Sequence, residues 1–312
     1  MEVSRRQALG ILAAPLVAGC RGLDMLGPSS GRVALSTAAS GAVTLIGAGD
    51  QHSVANLKTR ALTGRMVQAV LDADPTAWAF NAGDLVYNGT AQEYRDYYNP
   101  TWGAFRQRTL FTLGNHDRKA DPTASGYYQY TGAQRYYART LGAWRLYVLN
   151  SESVPMGGAD PVVQTEWLRQ DCAAHPNLQK LAMWHIPMFS NACALHGKPM
   201  VWPGKVGAWW RVLQEAGAEF VISGHVHRYE RFARMLRTGA ASSAGLRQFV
   251  IGTGGLSNMN VLTRHPLCEK FIVSTGIMRF DLYPDRYQWT FTDAAGVVRD
   301  SGVQMCRRVL AV

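Results

Sequence analysis

Five short runs in this chain place carboxylates, an amide and imidazoles where they could share cations. In order they are Gly49-Asp50-Gln51-His52, Gly83-Asp84-Leu85-Val86-Tyr87, Gly114-Asn115-His116-Asp117, Trp184-His185 and Gly224-His225-Val226-His227. Asp50, Asp84, Asn115, His185 and His225 are spaced by 34, 31, 70 and 40 residues. Each run follows a short apolar stretch, and six of the eight histidines lie at or just beyond such ends. A buried Asp or His needs a partner, and several together are most readily satisfied by a cation. Carboxylate and amide oxygens mixed with imidazoles suit Fe, Mn or Zn, and no cysteine sits in a metal-ligand spacing, which argues against a structural zinc cluster. Two cations a few ångströms apart need a bridging anion, and Asp84 is the natural bridge.

The elements that must position these groups read as alternating strands and helices. Apolar runs at 43–49, 77–83, 109–114, 144–149, 181–184 and 220–224 predict strands. Helical spacing follows at 54–72, with Leu57, Leu62, Met66 and Val70 on one face, and again at 163–174 and 206–216. After Arg247 the pattern turns to strands and tight turns, so one α/β domain with an antiparallel-leaning tail is expected. In open α/β sheets ligands bind beyond the carboxyl ends of the strands, so the five runs should converge on one rim. Gly252-Thr253-Gly254-Gly255 lacks the lysine and following helix of a phosphate loop and is expected to be a turn beside that rim. The aromatic pairs Tyr97-Tyr98, Tyr127-Tyr128 and Trp209-Trp210 are expected to pack in the core or rim.

With 312 residues, 47% hydrophobic and 17% charged, the composition is globular rather than disordered. No apolar run approaches the roughly 20 residues of a membrane-spanning helix. The net charge of +10 favours anionic partners. It forms no Lys/Arg block and comes with no aromatic-basic module, so a solvated basic surface serves equally well and no nucleic-acid partner is expected.

At the start of the chain, Arg5-Arg6 precedes the apolar run Ala8 to Ala18, which resembles a twin-arginine export signal. That run ends in Val17-Ala18-Gly19-Cys20, which resembles a bacterial lipoprotein box. The resemblance implies a signal peptide at 1–19, a lipidated Cys20, a Gly/Ser-rich tether over 20–41 and a catalytic domain over 42–312. It also implies attachment to a membrane on the non-cytoplasmic side of the cell envelope. The alternative is an ordinary signal with an incidental cysteine. Outside the cytoplasm Cys172, Cys193, Cys268 and Cys306 could form two disulfides, with three pairings open; Cys172, in a helical pattern, also reads as a buried free thiol.

The ordered series of five runs resembles the calcineurin-like metallophosphoesterase superfamily, over roughly residues 43–257. The Gly83-Asp84-x-x-Tyr87 form and the run Gly224 to Arg231 resemble its purple acid phosphatase branch. The resemblance implies a four-layer α/β sandwich of two packed mixed sheets flanked by helices, with a dinuclear metal site. Carried over by motif, one ion takes Asp50, Asp84 and His227, and the other takes Asp84, Asn115, His185 and His225. Tyr87 and His52 are both candidates for the first ion, and the two are not exclusive. Tyr87 as a ligand predicts Fe(III) beside a divalent Fe, Zn or Mn, because free Tyr has a pKa near 10 and needs a strong Lewis acid to ionise. His52 as a ligand permits an all-divalent pair.

His116 is expected to bind the phosphoryl group or protonate the leaving oxygen. Asp117 is expected to cap a turn or orient a histidine, and His196 to contact phosphate from a loop that resembles a substrate-pocket loop of plant-type members. His175 and His265 are expected to be solvated loop residues. The activity implied is hydrolysis of phosphate monoesters by attack of a metal-bound hydroxide, with no covalent phospho-enzyme. The rival readings are a phosphodiesterase or nucleotide hydrolase on the same site and, from another class, a non-catalytic metal- or phosphate-binding envelope lipoprotein.

Overall fold

Strand β1 (Val43–Ala48) buries Leu45 and Ile46, which face opposite ways, so it needs cover on both sides. The computed structural model shows that cover; it describes residues 41–52, 57–152, 161–193, 199–201, 203–256 and 263–308. Cys20, the tether up to residue 40 and His196 lie outside them. The chain continues through α1 (Leu57–Ala73), β2 (Trp78–Asn81), the single turn α2 (Ala91–Glu93), β3 (Thr109–Phe111), α3 (Ser125–Thr131), β4 (Tyr137–Leu141) and β5 (Trp144–Val148). Next come α4 (Pro161–Ala174), β6 (Gln179–Met183), β7 (Phe189–Cys193), β8 (Pro199–Val201), α5 (Pro203–Glu215) and β9 (Phe220–Ser223). The last strands are β10 (Tyr229–Phe232), β11 (Arg247–Ile251), β12 (Cys268–Ile272), β13 (Gly276–Leu282), β14 (Arg286–Asp293) and β15 (Val298–Met305).

A six-stranded sheet has the order β15-β14-β13-β1-β2-β3, and a seven-stranded sheet has the order β12-β10-β11-β9-β6-β5-β4. Both are mixed: β1, β2 and β3 run parallel, as do β5, β6, β9 and β11, with antiparallel strands at the flanks. One core lies between the sheets, where Phe280 meets Phe220 at 4.9 Å and Phe249 at 5.1 Å between ring centroids. Val67, Val70 and Leu71 of α1 cover the outer face of the first sheet. Leu168 of α4 and Trp209, Trp210 and Leu213 of α5 cover the outer face of the second. Helix, sheet, sheet, helix: the expected four layers are present. No described helix is long and apolar enough to cross a membrane.

The antiparallel tail returns to pair β13 with β1, which buries the first strand in mid-sheet. Asp300 of β15 joins the tail to the second sheet: its Oδ2 accepts from Tyr229 Oη at 2.6 Å, Arg231 Nε at 2.8 Å and Trp289 Nε1 at 3.1 Å. Burial opposes ionisation there, but the bonds from Arg231 and Tyr229 outweigh it and hold the carboxyl below its usual range. A depressed folded-state pKa contributes stability that is present above the ordinary carboxylate value of about 3.9 and lost as pH falls through the folded value. Asp300→Asn is therefore expected to cost about 3 kcal/mol at pH 7 and to shrink the loss of stability below about pH 4. Urea unfolding at both pH values checks this; equal losses at both would contradict it.

The sequence-derived strands agree with the structure to within a few residues, and the three predicted helices are α1, α4 and α5. Tyr98, Tyr127, Trp209 and Trp210 are buried, as packing residues should be. Cys172 is a buried free thiol of α4, and Cys268 and Cys306 are also unbridged; the side chain of Cys193 lies outside the described residues. His265 differs from expectation: rather than standing in solvent, it is half-buried, edge-on to Phe189 and Phe232.

Candidate metal centre

The two parallel strand sets deliver their carboxyl ends to one rim. β1 leads to Asp50 and His52, β2 to Asp84, and β3 to Asn115 and His116. From the second sheet β6 leads to His185, and β9 to His225 and His227. The backbone turns sharply to make room. Asp50, Asp84 and His225 adopt φ of 63°, 59° and 68°. That left-handed region is costly for residues with a Cβ and is held only where the surroundings impose it. Close approach also demands glycine at position 114, where a Cβ would lie 2.1 Å from Asp84 Oδ1.

Donor atoms gather in three overlapping groups: Asp50, His52 and His227; His52, Asp84 and His116; and Asp84, His185 and His225. In each, the ligand atoms lie within 4.8 Å of one another. Asn115 joins the third group, its Oδ1 lying 3.2 Å from His185 Nε2 and 2.9 Å from His225 Nδ1. Asp84 Oδ2 lies 3.3 Å from His185 Nε2 and 3.9 Å from His52 Nδ1, so it stands between the groups. Asp50 Oδ1 lies 3.5 Å from His227 Nε2.

A cation fits this arrangement. Asp50 Oδ1 and His52 Nδ1 are buried and have no hydrogen-bond partner, a cost that coordination would remove. His185 Nδ1 donates to the Ala82 carbonyl at 2.8 Å, which fixes the ring and points Nε2 at the oxygens of Asp84 and Asn115. A lone pair facing two acceptors is repulsive unless a proton or a metal ion lies between them.

Electrostatics agree with that reading. Burial pushes His52 and His225 down to about 4, so both are neutral lone-pair donors near pH 7. Burial also works against the charged forms of Asp84 and His185, but each charge holds the other: Asp84 stays well below the usual carboxylate range, and His185 rises to about 10. His227 is raised because the nearby Asp50 carboxylate outweighs its burial.

Asp117 caps the turns that aim these ligands. It is fully buried and accepts five donors: the N–H groups of Asp84, Leu85, Val86 and Gly114, and the Tyr94 hydroxyl. Burial and the neighbouring Asp84 push its pKa up to about 7, whereas five donors require an acceptor-only carboxylate. Asp117→Asn would set an NH₂ against these N–H groups. It is expected to lower stability by about 3 kcal/mol and metal affinity by about 10- to 100-fold. A urea midpoint equal to that of the parent protein would contradict this. Glu93 does similar work one loop on, closing a capping box with Thr90 and accepting from both nitrogens of Asn88.

The rim also carries a stack of rings. His116 lies 4.3 Å from His52 at 12° and 4.8 Å from Tyr87 at 34°. Its Nδ1 donates to the Tyr87 carbonyl at 2.8 Å, leaving Nε2 available. Tyr87 is 43% exposed, its ring lying beneath Lys119, whereas His52 is buried among the donor groups. The Gly252–Gly255 turn packs beside the site, with Gly254 N–H bonded to the Gly49 carbonyl.

The sequence reading passed over the loop after β5. Asn150, Ser151 and Glu152 are buried there, Ser151 Oγ accepts from Ile186 N–H next to His185, and the charge of Glu152 helps to raise His185. The same strand-end rule that located the other runs applies to it. Asn191, in the stretch expected to form a substrate loop, is instead buried. Its amide bonds to Cys268 Sγ and accepts from His265 N–H.

A family model described as calcineurin-like phosphoesterase matches residues 45–229, more than half of the chain and all five runs as far as His227. This chain belongs to the calcineurin-like phosphoesterase family. The family carries a phosphoesterase activity and a metal site, and the donor groups above are where this member would hold its ions. No curated protein sequence matches the chain. Among solved structures it is similar to GAP50, the anchor in the inner membrane complex of Plasmodium, with a TM-score of 0.69 and 11% identity over 86% of this chain and 90% of that one. It is similar to the purple acid phosphatase PPD1 from yellow lupin seeds, with a TM-score of 0.68 and 15% identity over 85% of this chain and 54% of the lupin protein. It is also similar to PhoD, with a TM-score of 0.58 and 13% identity over 86% of this chain and 70% of that one. At these identities the likeness is one of fold, and this chain spans about half of the lupin enzyme.

Proposed function

We propose that this calcineurin-like phosphoesterase hydrolyses phosphate monoesters at a two-metal centre and works as an exported, lipid-anchored enzyme. The observation that carries the catalytic reading is Asp84 standing between two sets of convergent donors, with orphaned Asp50 Oδ1 and His52 Nδ1 beside it. One set is Asp50, His52, Asp84 and His227; the other is Asp84, Asn115, His185 and His225. A bound pair of ions would supply Lewis acidity toward the phosphoryl oxygens and lower the pKa of water. The protein's own part is to hold the ester and handle its proton. His116 Nε2 faces the rim with its Nδ1 fixed, so it can bind a phosphoryl oxygen or give a proton to the leaving oxygen.

His52, buried among the donors, supports an all-divalent pair, and the exposed Tyr87 speaks less for a ferric phenolate centre. Export and anchoring rest on Arg5-Arg6 and Cys20 alone. The rim at Tyr87 and Lys119 is exposed and leaves room for a second ester substituent, which favours a phosphodiesterase as the second reading. A metal-loaded sample assayed on an aryl phosphomonoester and a bis-aryl phosphodiester separates the two. A higher kcat/KM for the monoester is expected, a diester preference replaces the first reading with the second, and no phosphate release from either removes both.

A further inference from the structure

The rim carries a cation beside His116 that no carboxylate matches among the described residues. Lys119 follows the single turn His116–Arg118 and is exposed, with its Nζ 3.6 Å from the centroid of the Tyr87 ring. Two hydrogen bonds tie this pair to His116, one at its backbone and one at its ring. Lys119 N–H donates to the His116 carbonyl at 3.1 Å, and His116 Nδ1 donates to the Tyr87 carbonyl at 2.8 Å. A third, from Ala120 N–H to the Asn88 carbonyl at 2.9 Å, holds the two loops together. The ammonium therefore stands one ring away from the group that faces the scissile ester. An aromatic face orients a cation without neutralising its charge, so Lys119 stays able to bind an anion. Its neighbour Arg118 does not share this role, because its guanidinium is given to the Glu152 carbonyl.

We propose that Lys119, held over Tyr87, determines specificity by receiving a second anionic group of the substrate. The favoured substrates are then phosphate esters that carry a further phosphate or carboxylate about one aromatic ring from the scissile phosphate. This rests on the phosphoesterase reading above and names the substrate class for that site. It gives Tyr87 a role as a support for the cation, one that needs its ring and not its hydroxyl.

The experiment compares kcat/KM for 4-carboxyphenyl phosphate and phenyl phosphate, read as a ratio in the metal-loaded protein. Lys119→Gln is expected to lower the ratio about fivefold, the upper range for an exposed ion pair, with the effect shrinking as salt is raised. Tyr87→Leu should lower it similarly, whereas Tyr87→Phe should keep it. Arg169→Gln, on the exposed face of α4, should leave it unchanged. Competitive inhibition by 4-carboxyphenylphosphonate against phenylphosphonate gives the same comparison without turnover. A ratio unmoved by Lys119→Gln, or lost in Tyr87→Phe, overturns the proposal while leaving the phosphoesterase reading in place. Absence of turnover on both esters in the parent protein overturns both.

Discussion

Asp84→Asn is expected to reduce bound metal from two ions per chain to fewer than one and to cut turnover by about 10³-fold or more, equivalent to about 4 kcal/mol of lost transition-state stabilisation. The substitution keeps the shape of the side chain and removes its charge. Oδ1 can still accept the His116 N–H, which it does at 2.8 Å in the parent protein. The atom that faces His185 Nε2 at 3.3 Å becomes an NH₂, which donates where a bridging ligand must offer a lone pair. Both donor groups that contain Asp84 are damaged at once. Elemental analysis beside thermal unfolding checks this. A folded variant that keeps two ions shows that Asp84 is not the bridge.

His116→Ala is expected to leave metal content near normal and to lower turnover by about 10²- to 10⁴-fold. The effect should be larger for an alkyl phosphate than for a nitrophenyl phosphate, because the poorer leaving group needs the proton more. Packing is a confounding factor, since His116 stacks on His52 and touches Tyr87. His116→Phe keeps a ring there and removes both nitrogens, so it separates the two effects: a loss equal to that of His116→Ala assigns the effect to proton or phosphoryl contact. Unchanged turnover in either variant removes the proposed role.

The rim was legible in the sequence because its chemistry is local. Each of these groups follows an apolar run by one to three residues, so the strand-end rule located the groups brought together at Asp50, His52, Asp84, Asn115, His116, His185, His225 and His227. The packing order of strands was less legible. That β13 pairs with β1 follows from contacts far apart in sequence, 233 residues between Ile46 and Arg279, and no local pattern encodes it. Strands such as β4 and β10 were missed because Arg, Glu and Thr interrupt their apolar pattern, although partners in the second sheet hold them. The choice between His52 and Tyr87 was also closed to the sequence, since both residue types can ligate. Their burial differs, His52 being 4% exposed and Tyr87 43%, and this supports His52 in the proposed donor set. The part of Asp117 was half legible. Its turn-capping type could be read from its position, but its five donors come from the loops after β2 and β3 and from the helical segment that begins at Tyr94, which only the fold brings together.

Metal titration tests the central claim most directly. Metal-free protein would be titrated with Mn(II) while phosphate release from an aryl phosphomonoester is followed. No release without metal is expected, then a rise that levels off at two ions per chain. Full activity in the metal-free protein, or no release with two ions bound, would contradict the account.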